Sequence, residues 1–461
     1  MMAMSLHREA RSRSRITDRH IKTRSSANVA RWLCVGLLLL AGLACAADDG
    51  MRETDRRRLS STLDRVVTQV KAHYYDAGFG GRDPDALAET ARQRIAAATD
   101  IGQAIAAIAQ FTLEFDDSHT FFSPPFRTVD VDYGWDVGIV GEQGMVLDVD
   151  PGCDAAKQGV HVGDVVQQIN GFPVSRETLW KIEYLFNELR PQPGLHVELV
   201  DPQGVRRELD LAAEVKTQGR VLELEGEGAG YGWARIRNAY AEYRRKHHLR
   251  MAKTGDGVLV AKLHAFSLEE DEPRRLLDAA RGQEVLILDL RGNPGGELAA
   301  LRSLVGGLFP GEVEIATFRE REKSKTETVR GRGDAAFAGR LLVLVDAQSA
   351  SAAELLARTV QLKGRGQVVG ERTSGSVMVA RSFGVNVSQG DYVVSSAVSV
   401  TVGDVVMPDG QRLERVGVVP DVVVVPTPVD LAAGRDPVLA RALALAGHPR
   451  DPAEAGNLLP K

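Results

Sequence analysis

Cysteine is nearly missing from this 461-residue sequence: Cys34, Cys45 and Cys153 are all it has. Two of them fall in the first 46 residues, so a chain trimmed there keeps one cysteine and can form no internal disulfide. Its stability must then come from packed cores. No His/Cys group stands at ligand spacing and no His-Glu-x-x-His occurs, so no metal or other cofactor is expected. Excess positive charge is lacking as well. Against 57 Lys and Arg stand 62 Asp and Glu, and residues 1–46 hold eight of the basic residues with only Glu9 and Asp18 opposing them. The remainder carries a net charge of −11, which excludes a general electrostatic attraction to nucleic acid or anionic membrane. No apolar run is long enough to span a bilayer either: Trp32–Ala44 has thirteen residues, where a ~30 Å hydrocarbon core needs about 20. What is present is ordinary for a globular chain, with 44% hydrophobic and 26% charged residues and no collagen-like glycine period. Its length suits two to four folded units.

The Arg- and Ser-rich residues 1–31 followed by Trp32–Ala44 read as a signal peptide over 1–46, with Ala44-Cys45-Ala46 as a small-x-small cleavage site. The mature protein is then exported, periplasmic or secreted, with no membrane span. A lipid anchor at Cys45 is a rival, weakened by Gly42 where such signals carry a large aliphatic residue. An uncleaved N-terminal anchor is a third reading.

From Leu59 to Leu113 apolar residues recur at helical spacing, and Pro124-Pro125 stops any helix, which makes 50–127 a helical unit. Residues 134–215 carry short β-rich runs between Gly, Asp and Pro turns, with one helical stretch near Glu177–Leu189. Residues 217–430 alternate apolar strands such as VLILDL, LLVLVD and GQVVGE with helical stretches, the pattern of an α/β core, and 431–461 reads as a C-terminal helix and tail.

Three segments carry chemistry. Leu341–Asp346 reads as a buried strand running through Ser349-Ala350-Ser351-Ala352 into a helix. A serine there has its hydroxyl beside free backbone amides and a favourable helix dipole, which suits an acyl-transfer nucleophile; Ser351-x-x-Glu354 is equally a capping box. The Gly-x-Ser-x-Gly elbow of α/β-hydrolases is absent, Ser349 and Ala353 taking the glycine places. The second segment, Asp289-Leu290-Arg291-Gly292-Asn293-Pro294-Gly295-Gly296, is either a plain turn or a cradle of amides for an anion. It matches no nucleotide-binding pattern. The third, Asp116-Asp117-Ser118-His119-Thr120, holds the histidine in the most polar company, either structural or a proton acceptor.

In their order these segments, with GERTSG and PDGQRLERVGVVPD, resemble the C-terminal processing (tail-specific) serine peptidases over most of residues 50–425. Pro151-Gly152, Gly163-Asp164 and Ile169-Asn170-Gly171 make the β-rich unit similar to a PDZ domain. The resemblance implies an α+β multidomain protein: an N-terminal helical unit, a PDZ-like unit and a ClpP/crotonase-like αβ superhelix as catalytic core. One branch of that family activates its serine with a Lys, for which Ser376 stands here, and Arg372 cannot lose a proton in its place. The chain more closely resembles the tricorn-like branch, which uses Ser with a His preceded by Ser and oriented through a second Ser and a Glu. On that pattern Ser351 is the nucleophile, His119 the base, and Ser118 with Glu414 a relay. Gly295 or Gly296 and Ala352 hold the oxyanion. Gly138, Ile139 and Val140 capture polypeptide substrates by their C-terminal tails as an added strand. The competing expectations are a silent PDZ-containing scaffold of the cell envelope, suggested by the missing Lys, and a crotonase-like acyl-CoA enzyme, at odds with the export signal.

Overall fold

The structure is a computed structural model that describes residues 51–125, 129–217, 249–266, 272–389, 392–394 and 396–459. The signal peptide expected over 1–46, with Cys34 and Cys45, lies outside them. Helices α1 (Glu53–His73), α2 (Pro84–Ala97) and α3 (Ile101–Leu113) come first, α1 starting six residues earlier than the apolar periodicity suggests. Local chemistry starts the other two. Asp83 accepts from the Asp85 and Ala86 amides with Pro84 in the first turn, and Asp100 accepts from Gln103. The buried faces hold Leu63, Val66 and Val70, then Ala88, Ala91 and Ile95, then Ile105, Ile108 and Phe111.

After the short strand β1 (Phe121–Ser123), strands β2 (Val129–Asp132) and β9 (Glu214–Thr217) pair antiparallel and bring the two ends of the intervening segment together. Between them β3 (Trp135–Val140), β4 (Gln143–Val149), β5 (Val165–Ile169), β7 (Gly194–Val200) and β8 (Arg206–Ala212) form one sheet in the order 3-4-5-7-8, with β6 (Phe172–Pro173) on β5. Helix α4 (Leu179–Glu183) closes it, setting Ile182 against Val146, Val166 and Val197.

The central six-stranded sheet has the order 10-11-12-15-16-21, from β10 (Arg250–Lys253), β11 (Val258–Lys262), β12 (Val285–Asp289), β15 (Arg340–Val345), β16 (Gly366–Gly370) and β21 (Val422–Val423). All pairs after β10–β11 are parallel. Helices α5 (Glu272–Ala280), α6 (Leu298–Leu308) and α7 (Ala352–Leu362) cover one face, and α8 (Pro437–Ala446) covers the other. Burial on both faces explains the unbroken apolar strands. Helix α8 sets Val438, Leu439 and Leu443 against Val260, Ile287, Leu342 and Leu344, so the packed core runs past residue 430. A second sheet joins β1, β20 (Ala397–Val406), β13 (Val313–Glu320) and β14 (Ser324–Val329), with β17 (Met378–Gly384) also on β20, and β18 (Val387–Gln389) with β19 (Tyr392–Val394) make a hairpin. Strand β1 pairs Phe121 with Ser399 and Phe122 with Val398, which carries the segment around His119 from the helical region to the core. Among the described residues no helix is long and apolar enough to cross a membrane.

Candidate active site

Strands β12 and β15 are parallel neighbours, Asp289 opposite Leu344, so the turns that follow them leave the sheet side by side at its carboxyl edge. That edge is where open α/β sheets bind ligands. In the second turn Asp346 Oδ1 accepts from the amides of Gly292 (2.9 Å), Gln348 (3.1 Å) and Ser349 (2.9 Å), which ties the two turns together. Ser349, fully buried, donates its hydroxyl to the Leu290 carbonyl at 2.8 Å. Arg291 roots the first turn: it is forked on Asp289 (2.9 and 2.8 Å) and on Asp436 (2.9 and 2.7 Å).

Ser351 stands at the start of α7 with φ +52° and ψ −116°, a sparsely populated conformation for a residue with a side chain. An ordinary N-cap is extended, so capping alone does not account for it. Its amide donates to Glu354 Oε2 at 3.1 Å and to the Ser376 carbonyl at 3.0 Å. Gly295 lies against it. A Cβ on Gly295 would fall 2.6 Å from Ser351 Cβ, and at φ +96° the position favours glycine on its own account.

Of the candidate oxyanion donors, the Gly295 amide is committed to Asn293 Oδ1 at 2.8 Å. The expectation of Gly295 or Gly296 therefore narrows to Gly296. Gly296 lies in a parallel bridge with Phe266 in which the Gly295 carbonyl and the Glu297 amide make the bonds, so its own N–H points the other way. The Ala352 amide belongs to the first turn of α7, where intrahelical partners are lacking.

Ser118, His119 and Glu414 come together across 296 residues of sequence. Ser118 Oγ donates to Glu414 Oε2 at 2.8 Å, its amide donates to Glu414 Oε1 at 3.0 Å, and Oγ lies 2.6 Å from His119 Nδ1. A hydroxyl has one proton, so Ser118 gives it to Glu414 and accepts from Nδ1–H, leaving Nε2 of a neutral imidazole as the acceptor. Burial holds His119 below the ordinary histidine pKa, against the opposing pull of Glu414 and Asp117. Among the described residues no hydrogen bond joins His119 to Ser351 directly. A single peptide unit links the two halves, because the Ser376 carbonyl accepts from Ser351 N–H while Val377 N–H donates to Glu414 Oε2 at 2.8 Å.

Sequence reasoning gave Glu354 only a capping role. It is wholly buried and accepts from Thr373 Oγ1 (2.5 Å) and the amides of Gly375 (2.8 Å), Ser376 (3.0 Å) and Ser351. Burial outweighs these four bonds and raises its pKa to about 7. It fixes the 373–376 loop under Ser351, and Ser376 contributes its backbone to the arrangement. The capping pattern signals only the Ser351 donor, since the other three lie 19 to 22 residues on. The third group, Gly138, Ile139 and Val140, lies on β3 against the turn before Ser351. A Cβ on Gly138 would fall 2.0 Å from Gln348 Nε2, and Ile139 packs with Leu179 of α4 and with Ala347. Val140 is buried. Arg176 and Glu371 strengthen this junction, Arg176 Nη2 donating to the Gly141 carbonyl (2.8 Å) and Glu371 accepting from the Gly141 amide (2.7 Å). Among the described residues no group of His, Cys, Asp and Glu could hold a metal ion.

Residues 257–424, which contain both turns, Glu354 and Glu414, match peptidase family S41. The chain is 32% identical over 144 residues to a carboxyl-terminal-processing protease of Synechocystis, covering 31% of this chain and 32% of that one. It is 26% identical over 300 residues to the carboxy-terminal-processing protease of Bartonella bacilliformis, covering 63% and 61%. The matches thus span less than two thirds of these relatives. Among solved structures, mature CPAF superposes with a TM-score of 0.62 at 15% identity over 82% of this chain and 95% of that one. The photosystem II D1 C-terminal processing protease gives 0.50 at 22% identity over 80% and 93%. The chain accordingly has a mixed α/β fold, and its residues 257–424 are a peptidase S41 domain similar to that of carboxyl-terminal-processing proteases.

Proposed function

We propose that this protein is a serine endopeptidase of exported or unfolded polypeptides working through Ser351 and His119. The observation that carries the reading is Ser118 Oγ held between His119 Nδ1 and Glu414 Oε2, which leaves Nε2 as a proton acceptor. His119 takes the Ser351 hydroxyl proton as Oγ attacks the scissile carbonyl, and later gives it to the leaving amine. Ser118 and Glu414 orient the ring and stabilise its cationic form. The amides of Gly296 and Ala352 receive the oxyanion, where one such donor contributes about 3 kcal/mol to lowering the barrier. In substrate-free sites the bond from nucleophile to base is commonly long and tightens on binding. No step calls for a metal or cofactor.

In this reading residues 217–430, extended by α8, are the ClpP/crotonase-like core, 50–127 the helical unit and 134–215 a PDZ-like selector of C-terminal tails. Support for the selector comes from Ile139 of β3 packing with Leu179 of α4. Because Ala347 and Gln348 lie against that strand, a tail entering there displaces them. The test is hydrolysis of an unfolded protein by the full chain. Ser351→Ala abolishes it and His119→Gln removes most of it. Persistence in Ser351→Ala refutes the assignment. A free tail peptide added in trans should slow cleavage of tailed proteins and spare short peptides, and equal effects on both would refute the selector.

A further inference from the structure

The DDSHT segment contains a buried carboxylate that the relay from Ser118 to Glu414 does not use. Asp117 Oδ1 accepts three donors: the His119 amide (2.8 Å), the Thr120 amide (2.7 Å) and the Thr401 hydroxyl (2.6 Å). Thr120 and Thr401 are joined again, the Thr120 hydroxyl donating to Thr401 Oγ1 and accepting from the Thr401 amide, both at 3.1 Å. The Thr401 carbonyl accepts from the Tyr75 amide at 2.9 Å. The loop carrying His119 is thus bound to the middle of β20 and, through it, to the end of α1.

Oδ2 is different. It is buried and has no donor at close hydrogen-bond geometry, and the Tyr74 phenol is the hydrogen-bonding group of the Asp117 side chain on that side. The nearby Tyr74 phenol, itself buried, is pushed up in pKa by that burial and by the Asp117 charge. An asparagine could offer Oδ1 to the same three donors, so anchoring alone does not require a carboxylate.

We propose that Asp117 is a positioning residue for His119, holding the backbone that carries the imidazole and placing a second negative charge beside the ring in addition to Glu414. This rests on the reading of His119 as the base. The charged groups around the ring are few. Glu414 acts through Ser118 and Asp117 acts from the ring's own loop, while Arg415 lies on the outer side, 3.7 Å from Glu414 and 3.2 Å from Asp116. Burial drives the imidazole toward its neutral form and the two carboxylates oppose it. The ring therefore stays neutral at rest, and the cation formed in the transition state remains accessible.

The test reads His119 without turnover. In full-length Ser351→Ala with ¹³C-labelled histidine, the His119 resonance is assigned by its loss in His119→Gln and titrated by NMR. Asp117→Asn should lower its midpoint by about one pH unit, the effect expected of removing an opposite charge at short range. Asp117→Ser, which keeps an acceptor for the amides and drops the charge, carries the same expectation if the Asn variant does not fold. Thr401→Val keeps the charge and should leave the midpoint in place. With Ser351 present, the acid limb of kcat/KM should move with the midpoint. An unmoved midpoint in a natively folded Asp117→Asn or Asp117→Ser chain overturns the proposal. Absence of hydrolysis in the unmodified protein would count against the peptidase reading and not against this one.

Discussion

A neutral imidazole accepts a proton and an imidazolium does not, so the His119 environment sets a pH profile. Burial lowers its pKa from the ordinary value near ~6.5. Activity as kcat/KM is expected to rise through a single ionisation on the acid side of that value and then level off, and His119→Gln should remove both rate and ionisation. A limb centred well above neutrality would point to another base. Glu354 sets a pH dependence of a different kind. Its folded pKa of about 7 lies above that of an exposed carboxylate, so the folded state binds a proton more tightly. Stability is then lost as pH rises from the unfolded value near ~4.3 through about 7. Glu354→Gln should flatten that part of the stability profile in urea unfolding and lower the whole of it, since its amide turns an N–H toward donors. At Gly295 the constraint is steric. Gly295→Ala places a methyl 2.6 Å from Ser351 Cβ at a positive φ, and activity should fall at least tenfold. Wild-type activity in that variant would mean that the turn and the serine separate in solution.

Elements bring these residues together with unequal visibility in the sequence. Strands β11, β12, β15 and β16 each carry a run of buried apolar residues because helices cover both faces, and such runs stand out. The sheet of β13, β14 and β20 is harder to read. SKTETV of β14 exposes four of its six residues and looks like a polar loop, although Glu327 within it is buried against Arg302 at 2.5 Å. Strand β1 is three residues long and carries no periodicity, yet its pairing with β20 delivers His119. The start of α8 acts at a distance as well, because Asp436 both caps that helix and forks onto Arg291 at the root of the glycine turn. Asp436→Ala leaves a partly buried guanidinium paired with Asp289 alone. It should cost about 3 kcal/mol in urea unfolding and reduce kcat more than KM, as a displaced oxyanion donor would. A change within 0.5 kcal/mol would make the fork incidental.

At the scale of the molecule, α8 shows that the chain does not divide where its composition changes. Ending the chain at residue 430 uncovers the face formed by Val260, Ile287, Leu342 and Leu344. That variant should be insoluble or unfolded by circular dichroism, whereas a soluble, cooperatively folding product would make α8 an accessory. Composition, periodicity and turn residues by themselves determined the α/β alternation of the core, the β-rich character of 134–215 and the residue types able to do acyl transfer. These are local properties, set by which face of an element is apolar and where glycine or proline breaks it. That Glu414 pairs with Ser118 across 296 residues was implied by the family resemblance and by no local property, and the tertiary structure shows the contact. Only that structure decided that one peptide unit at 376–377 joins the serine to the relay, and that the Gly295 amide is already taken. Periodicity reports that a face is buried but not against which partner. A hydrogen bond between distant segments depends on the packing of every element that carries them, and no local window contains it.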